Sequence, residues 1–523
     1  MEPMADASTV ERMLMNNAKA NGIPINGSIE LTPLCNMNCD MCYVRMSKAE
    51  MEAQGRLRTA EEWLEIGAQM KDAGVLFLLL TGGEPLLYPE FKEVYLGLKQ
   101  MGMILTINTN GTLIDEEWAD FFQKHKPRRI NITLYGESGE TYQQLCHYGE
   151  GFDRTMEAVR LLTERGVDVK IGGSATKANA DHIEEIIDCG DQLGVPVRVD
   201  TYMMPAERER NQPYNLQSRL DPEAAAQVRI MALKKEMPAD TFRQYVLQTI
   251  NMVENFVPSE EPGCVTCYAG NCSFTLNWQG NMRPCVVLSE PSVSVFDAGF
   301  APAWQQIREK VGRIRLNLKC SQCRLSALCR TCAASALLET GRFDGVPEYM
   351  CRYAEESYRL IKLEAEALLG GITIDTNRFA VKTGVRTFEA AAWLRRSGAD
   401  TTEVKRFFQT DLDSFKVRAK AIAAADFNEK GIAVSVCEGC NEGAQIINSQ
   451  VADELLTIKG IKASFVAGRN IRGETVVSAR SLGEMNVQLI MEKLGGGGHL
   501  TTAGAQVDCS PEEAIEKILE IIV

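Results

Sequence analysis

Between residues 26 and 202 the chain alternates short apolar runs with longer stretches whose apolar residues recur at helical spacing. "GSIELT", "VLFLLL", "MILTINTNG", "RINITLYG", "VDVKIGGS" and "VPVRVDTY" read as strands, while "TAEEWLEIGAQMKDAG", "PEFKEVYLGLKQMG", "DEEWADFFQKH", "FDRTMEAVRLLTERG" and "ADHIEEIIDCGDQLG" read as the helices between them. Six such strands predict an α/β fold with a parallel sheet over 26–205, a partial or complete (β/α)6 barrel of the TIM kind. Ligands of such sheets gather at the carboxyl ends of the strands. The loops that follow the strands are therefore where chemistry is expected.

The pattern changes outside that region. About 25 residues precede the first strand as an N-terminal extension, and 206–262 read as a helical connector opened by the polar "PAERERNQPYNLQSRLDP". Residues 263–360 are dense in cysteine, as expected of a fold organised around metal more than around apolar burial. The helical "PEYMCRYAEESYRLIKLEAEALL" leads into a last α/β region, 361–523. A chain of 523 residues is expected to hold more than one core, and 45% apolar with 24% charged residues excludes a disordered protein. The net charge of -14 argues against a nucleic acid polymer or an anionic membrane as partner. The longest apolar run, "GVLFLLL" at 74–80, is too short to span a bilayer, and the start lacks a secretory signal, so a cytoplasmic protein is expected.

A reducing cytoplasm turns 17 cysteines into a question of metal chemistry. The four histidines, His125, His147, His182 and His499, lie outside the cysteine clusters, which points to sulfur ligation by iron–sulfur clusters or zinc. His125, His147 and His182 read as surface or helix residues. Cys35, Cys39 and Cys42 directly follow the first strand. Three thiolates fill three corners of a 4Fe-4S cube and leave one iron open to the amino and carboxylate groups of a small molecule. A structural zinc would want a fourth ligand, and the next thiols in the sequence, Cys146 and Cys189, stand well removed from this loop.

This CxxxCxxC, with "TGGEPLL" at 81–87, resembles the radical S-adenosylmethionine (SAM) superfamily. The resemblance implies a 4Fe-4S cluster on Cys35, Cys39 and Cys42 and SAM received at Gly82, Gly83, Glu84 and Pro85, with Glu84 accepting from its ammonium. It further implies hydroxyl contacts from Thr133 and Ser174. Met41 stands where an aromatic residue is common, with Tyr43 close by. The later series "CYAGNCSFTLNWQGNMRPC", "CSQCRLSALCRTC" and "YMC" resembles the SPASM extension of these enzymes, including a GxxxxC element at Gly280 to Cys285. By that likeness Cys267, Cys272, Cys285 and Cys332 would hold one auxiliary 4Fe-4S cluster, and Cys320, Cys323, Cys329 and Cys351 a second. Cys264 is an alternative to Cys267, and a pair of zinc sites is the rival account of the whole region. A peptide or protein substrate, modified on a side chain, and an electron donor such as flavodoxin or ferredoxin are implied with it. Val286 stands where the sulfatase-maturing branch carries an aspartate, which argues against formylglycine formation.

"GITIDTNRFAVKTGVRTFEAAAWLRRSGAD" at 371–400 and "SARSLGEMNVQLIMEKLGGGGHLTTAGAQ" at 478–506 resemble the C-terminal part of DHH/DHHA1 cyclic-di-AMP phosphodiesterases, over roughly 363–523. The resemblance implies nucleotide contacts from Arg480, Gly497, Gly498 and His499 and makes Asp375 one metal-binding aspartate. The family's DHH triplet and early aspartates are absent, and neither "DHI" at 181–183 nor "DLD" at 411–413 replaces them. Two metal ions need more carboxylates than Asp375 provides, so nucleotide binding without phosphodiester cleavage is expected. The CxxC of Cys437 and Cys440 reads as ordinary thiols. The alternative to a radical SAM enzyme is a nucleotide-binding or cyclic-dinucleotide phosphodiesterase-related protein.

Overall fold

The computed structural model describes residues 9–205, 216–329, 331–376, 378–379, 383–396, 398–441 and 443–522, with nothing said of the side chains of Cys440 and Asn441. Contacts divide the chain into two compact units, Met1–Val404 and Lys405–Val523. The expected boundary at 360/361 falls inside one continuous helix, Glu348–Asp375.

All six expected strands form: β1 (Asn26–Glu30), β2 (Phe77–Thr81), β3 (Ile104–Thr109), β4 (Arg129–Leu134), β5 (Val169–Ser174) and β6 (Val197–Asp200). They pair in parallel, β1 with β2 from Asn26↔Phe77 through Glu30↔Thr81. Three further strands, β7 (Ser273–Leu276), β8 (Asn281–Arg283) and β9 (Val293–Ser294), continue the same sheet in the order β6-β5-β4-β3-β2-β1-β7-β8-β9. The sheet is open, with β6 and β9 at its two ends. The cysteine-rich region is thus no separate body, since β7 pairs in parallel with β1.

Strand alternation explains where ligands can go. Leu78, Leu80, Leu105, Ile107, Ile130, Ile132, Leu134, Ile171 and Val199 are buried against the crossover helices. The opposite face carries the partly exposed Ser28, Thr106, Asn108, Asn131, Thr133, Gly172 and Ser174. Asn131 Nδ2 donates to Asn108 Oδ1 at 2.7 Å across that face. A parallel sheet covered on both sides would be apolar on both sides. This one keeps a mainly polar, partly exposed face, interrupted by Phe77 and Leu79 of β2.

Four helices matter below: α1 (Thr9–Asn21), α2 (Gly139–Cys146), α3 (Glu348–Asp375) and α4 (Ala444–Leu455). The second unit is a six-stranded sheet, β10 (Asp426–Phe427), β11 (Ile432–Asn441), β12 (Ala463–Asn470), β13 (Thr475–Ser481), β14 (Gly497–His499) and β15 (Thr502–Val507), in the order β10-β11-β12-β13-β15-β14. Its core is Phe465, Ala467, Val477, Ala479, Ile515 and Ile518.

Candidate active site

The loop carrying Cys35, Cys39 and Cys42 is sewn to the glycine turn after β2. Gly83 N donates to Thr32 O at 2.7 Å and Glu84 N to Leu34 O at 2.8 Å. Backbone is that close only because side chains are missing. A Cβ at Gly82, whose φ is 145°, would stand 2.4 Å from Thr32 O, and one at Gly83 2.3 Å from Leu34 O.

The Glu84 carboxylate is buried beneath this seam, 0% exposed. Oε1 accepts from Thr109 Oγ1 at 2.8 Å and Leu86 N at 3.1 Å, and Oε2 from Asn110 N at 2.8 Å. Burial pushes its pKa up to about 7 against those three donors. The carboxylate ties the strand-end loops after β2 and β3 together. Because the folded pKa lies above the unfolded value of 4.5, its contribution to stability is present below that pH and is lost as pH rises through about 7. The expected loss is about 3 kcal/mol at about 1.4 kcal/mol per unit. Denaturant titrations from pH 4 to 8 should show this fall in the natural chain relative to Glu84→Gln, and parallel curves would disprove it.

Around the thiols, Met37 N donates to Cys35 Sγ at 3.5 Å and Arg45 N to Cys42 Sγ at 3.3 Å. Asn110 Nδ2 reaches Cys35 Sγ at 3.7 Å and Asn36 Oδ1 at 2.9 Å, while Asn36 Nδ2 holds Thr112 Oγ1 at 2.8 Å. Burial first, then the charges of Glu84, Cys42 and Cys39, push Cys35 up to about 12, opposed by the Met37 N–H. Cys39 is buried, whereas Cys35 and Cys42 are partly exposed. An all-sulfur donor set on one loop, with amide N–H groups aimed at its sulfurs and a polar sheet face alongside, fits an iron–sulfur cube.

Two neighbours escape a reading of the sequence. Cys146, expected to lie away from this loop, lies against it: Asn38 N donates to Cys146 O at 3.1 Å and Asp40 N to Leu145 O at 3.0 Å. Its thiol is fully buried, and burial followed by the hydrogen bond with Cys39 pushes it up. The end of α2 thus brackets Cys39 on both sides. His147, expected as a simple surface residue, pairs through Nε2 with Asp40 Oδ1 at 2.8 Å. Tyr135, just past β4, is the second omission. Burial and then the charges of Cys39, Cys146, Cys35 and Cys42 raise its phenol, and its ring packs edge-on against Tyr142 of α2. Thr133 and Ser174 sit on the polar face, in register with Gly172 and Asp200.

The later cysteines sort themselves by whose charge each one feels. Burial raises Cys285, and Cys332 and Cys267 raise it further; Cys272, at about 11, answers to Cys267 after burial. Burial and then Cys329, Cys320 and Cys323 push Cys351 up to about 11. Cys267, Cys285 and Cys332 thus neighbour one another, as do Cys320, Cys323, Cys329 and Cys351, and Cys332 also acts on Cys329. Val287 N donates to Cys285 Sγ and Thr331 N to Cys329 Sγ, both at 3.4 Å, repeating the arrangement at Cys35. Cys264 is exposed and lines a cavity of about 530 Å³ with Cys267, Cys329, Cys332, Arg198 and Tyr202. Among the described residues no three His, Cys, Asp or Glu side chains converge as a single metal ion requires. Thiolates around a cube stand farther apart than ligands around one ion.

In the second unit Arg480, Gly497, Gly498 and His499 line one cleft of about 710 Å³. Arg480 is held by Asp453 Oδ1 at 3.0 Å and by Ser449 Oγ, both from α4. Ser449 and Ser478 also line the cleft and carry no sequence signal of their own. Asp375 is exposed at the end of α3, and Asp411 caps the helix Leu412–Ala423. Cys437 is buried, and the side chain of Cys440 lies outside the described residues.

Residues 29–190 match the radical SAM superfamily and residues 428–523 the DHHA1 domain. The chain is 44% identical over 174 residues to a cyclic-di-AMP phosphodiesterase of Geobacillus thermodenitrificans, covering 33% of this chain and 26% of that protein. It therefore spans about a quarter of that relative's length. It is 26% identical over 281 residues to a probable GTP 3′,8-cyclase of Saccharolobus islandicus, covering 51% of this chain and 85% of that one. The structure of Streptococcus suis SuiB bound to its precursor peptide SuiA superposes with a TM-score of 0.50 at 18% identity, over 65% of this chain and 80% of that one. At that identity the likeness is one of fold. A radical SAM domain implies a 4Fe-4S cluster and bound SAM, and no helix among the described residues is long and apolar enough to cross a membrane. The chain carries a radical SAM domain in its N-terminal region and a DHHA1 domain at its C-terminus.

Proposed function

We propose that this protein is a cytoplasmic radical SAM enzyme of the SPASM type that modifies a side chain of a peptide or protein. Cys35, Cys39 and Cys42 would hold the cluster, which when bound would supply the electron for reductive cleavage of SAM to methionine and a 5′-deoxyadenosyl radical that takes a hydrogen from the substrate. The residues of the chain orient and protect that event. The Gly82 to Pro85 main chain, rather than the Glu84 carboxylate, faces the ammonium, and the Thr133 and Ser174 hydroxyls take the ribose or carboxylate. Asn36 and Asn110 hold the cysteine loop in place, and Tyr135 keeps water from the thiols. Cys267, Cys272, Cys285 and Cys332 hold one auxiliary cluster and Cys320, Cys323, Cys329 and Cys351 another, to receive the electron or the substrate. A flavodoxin or ferredoxin provides the reducing equivalent.

The observation that supports a peptide over a nucleotide is the cavity beside the auxiliary thiols. Tyr202, Met204, Val265 and Leu316 give it apolar walls, and among the described lining residues Arg198 is the single cation. A triphosphate wants several cations or a metal, whereas a side chain wants an apolar wall with a few polar groups. Anaerobically reconstituted protein reduced with dithionite and given SAM should alter the mass of members of a cytosolic peptide pool and leave GTP intact. Conversion of GTP, with peptides untouched, would overturn the peptide reading.

Metal content tests the auxiliary sites separately. Roughly twelve irons per chain are expected, with about four lost in Cys285→Ala and about four in Cys323→Ala. Zinc in place of that iron would establish the rival account.

The cleft around Arg480 favours a second, additional reading, nucleotide binding without turnover. Calorimetry should detect cyclic-di-AMP binding that weakens roughly tenfold or more in Arg480→Ala, as loss of a charged hydrogen bond predicts. Mn²⁺-dependent hydrolysis would refute the absence of cleavage.

A further inference from the structure

We propose that α1 closes over the first auxiliary thiol group and that Lys19 is the cation that sets the reduction potential there, an inference resting on the reading of Cys267, Cys272, Cys285 and Cys332 as cluster ligands. The first residues look like a plain extension in the sequence. In the fold, Met15 and Ala18 of α1 are buried against Ile25, Tyr268 and the fully buried Cys272. Asn26 N donates to Cys272 O at 3.2 Å, so the chain leaving α1 is tied to the main chain of the same cysteine. Glu11 pairs with Arg128 at 2.8 Å and Trp304 Nε1 donates to Gly22 O at 2.9 Å, which pins the helix near both ends.

That placement brings one charge to the site. Lys19 Nζ donates to Thr266 O, the carbonyl immediately before Cys267. A thiolate-bound cluster is anionic and gains a further negative charge on reduction. A fixed cation alongside stabilises the reduced state more than the oxidised one and raises the potential. Lys19 would thus raise the potential of the first auxiliary cluster.

The test is an EPR-monitored redox titration of the reconstituted full chain with iron counted in each sample, the signal of the first group being identified by its absence in Cys285→Ala. Lys19→Met should move that signal to more negative potential and leave the others in place, while Lys19→Arg should keep the natural value. An unmoved potential in Lys19→Met at full iron content overturns the inference. So does iron loss in Lys19→Met that Lys19→Arg fails to repair, because the role would then be packing and not charge. If Cys285→Ala retains all its iron, the cluster reading itself falls, and this inference with it.

Discussion

Cys39→Ala should abolish 5′-deoxyadenosine formation, by roughly a thousandfold or more, and carry away about four irons per chain. Of the three thiols on the loop, Cys39 is the one fixed in the core, 6% exposed. Its neighbours Asn38 and Asp40 are bonded to the last carbonyls of α2, so the loop has no slack with which to offer another ligand. The measurement is product by mass spectrometry after anaerobic reduction with SAM, alongside iron and sulfide. Cys146 makes the experiment more informative than a routine ligand deletion. It lies against Cys39, and substantial residual product would mean that its thiol takes over as third ligand. The double variant Cys39→Ala/Cys146→Ala would then be the inactive one. Loss of product at full iron content would instead mean that Cys39 is no ligand at all.

Gly83→Ala is expected to be nearly as damaging, although it adds a single methyl group. That methyl would meet Leu34 O at 2.3 Å, Leu34 C at 2.7 Å and Pro33 O at 2.8 Å, all of them main chain. No rotamer relieves a clash with backbone, so the two loops must separate, and with them go the bonds from Gly83 N and Glu84 N. We expect a loss of about 2–4 kcal/mol in stability and a fall in SAM affinity of roughly a hundredfold. Gly172→Ala is the matched control, since nothing lies within 4 Å of a Cβ there. It should change stability by less than about 0.5 kcal/mol. Chemical unfolding and calorimetric SAM binding read both variants. Equal behaviour of the two would mean that the seam between the loops is not what holds SAM.

These contrasts also mark what a sequence can disclose. The six parallel strands are legible because alternation between apolar run and amphipathic stretch is local, and so are the cysteine spacings. A partition of the later thiols into ligand sets is implied only through resemblance, because these cysteines span residues 267 to 351. Contacts between distant segments leave no periodic trace. Nothing around Cys146 announces that the end of α2 meets the first cysteine loop, and nothing about Glu84 tells a ligand contact from an internal clasp. The Asn110 network belongs to the same class: its "NTNG" stretch is visible as a strand end, but not its reach to Cys35. The end of the first unit is hidden for a different reason. Helical periodicity runs unbroken through α3, so residues 360 and 361 look no different from their neighbours on either side.

The position of β1 between β2 and β7 has a practical consequence for anyone dividing this protein. Both rows of its main-chain donors and acceptors are satisfied, one by the following α/β unit and one by a segment almost 250 residues later. Deleting everything after residue 205 would strip one row bare on the very strand that feeds the first cysteine loop. Exposed ladders of that kind recruit other chains, so the shortened protein should self-associate and precipitate. Removing the second unit alone, from Lys405 onward, leaves that strand's pairing intact and should yield the soluble fragment.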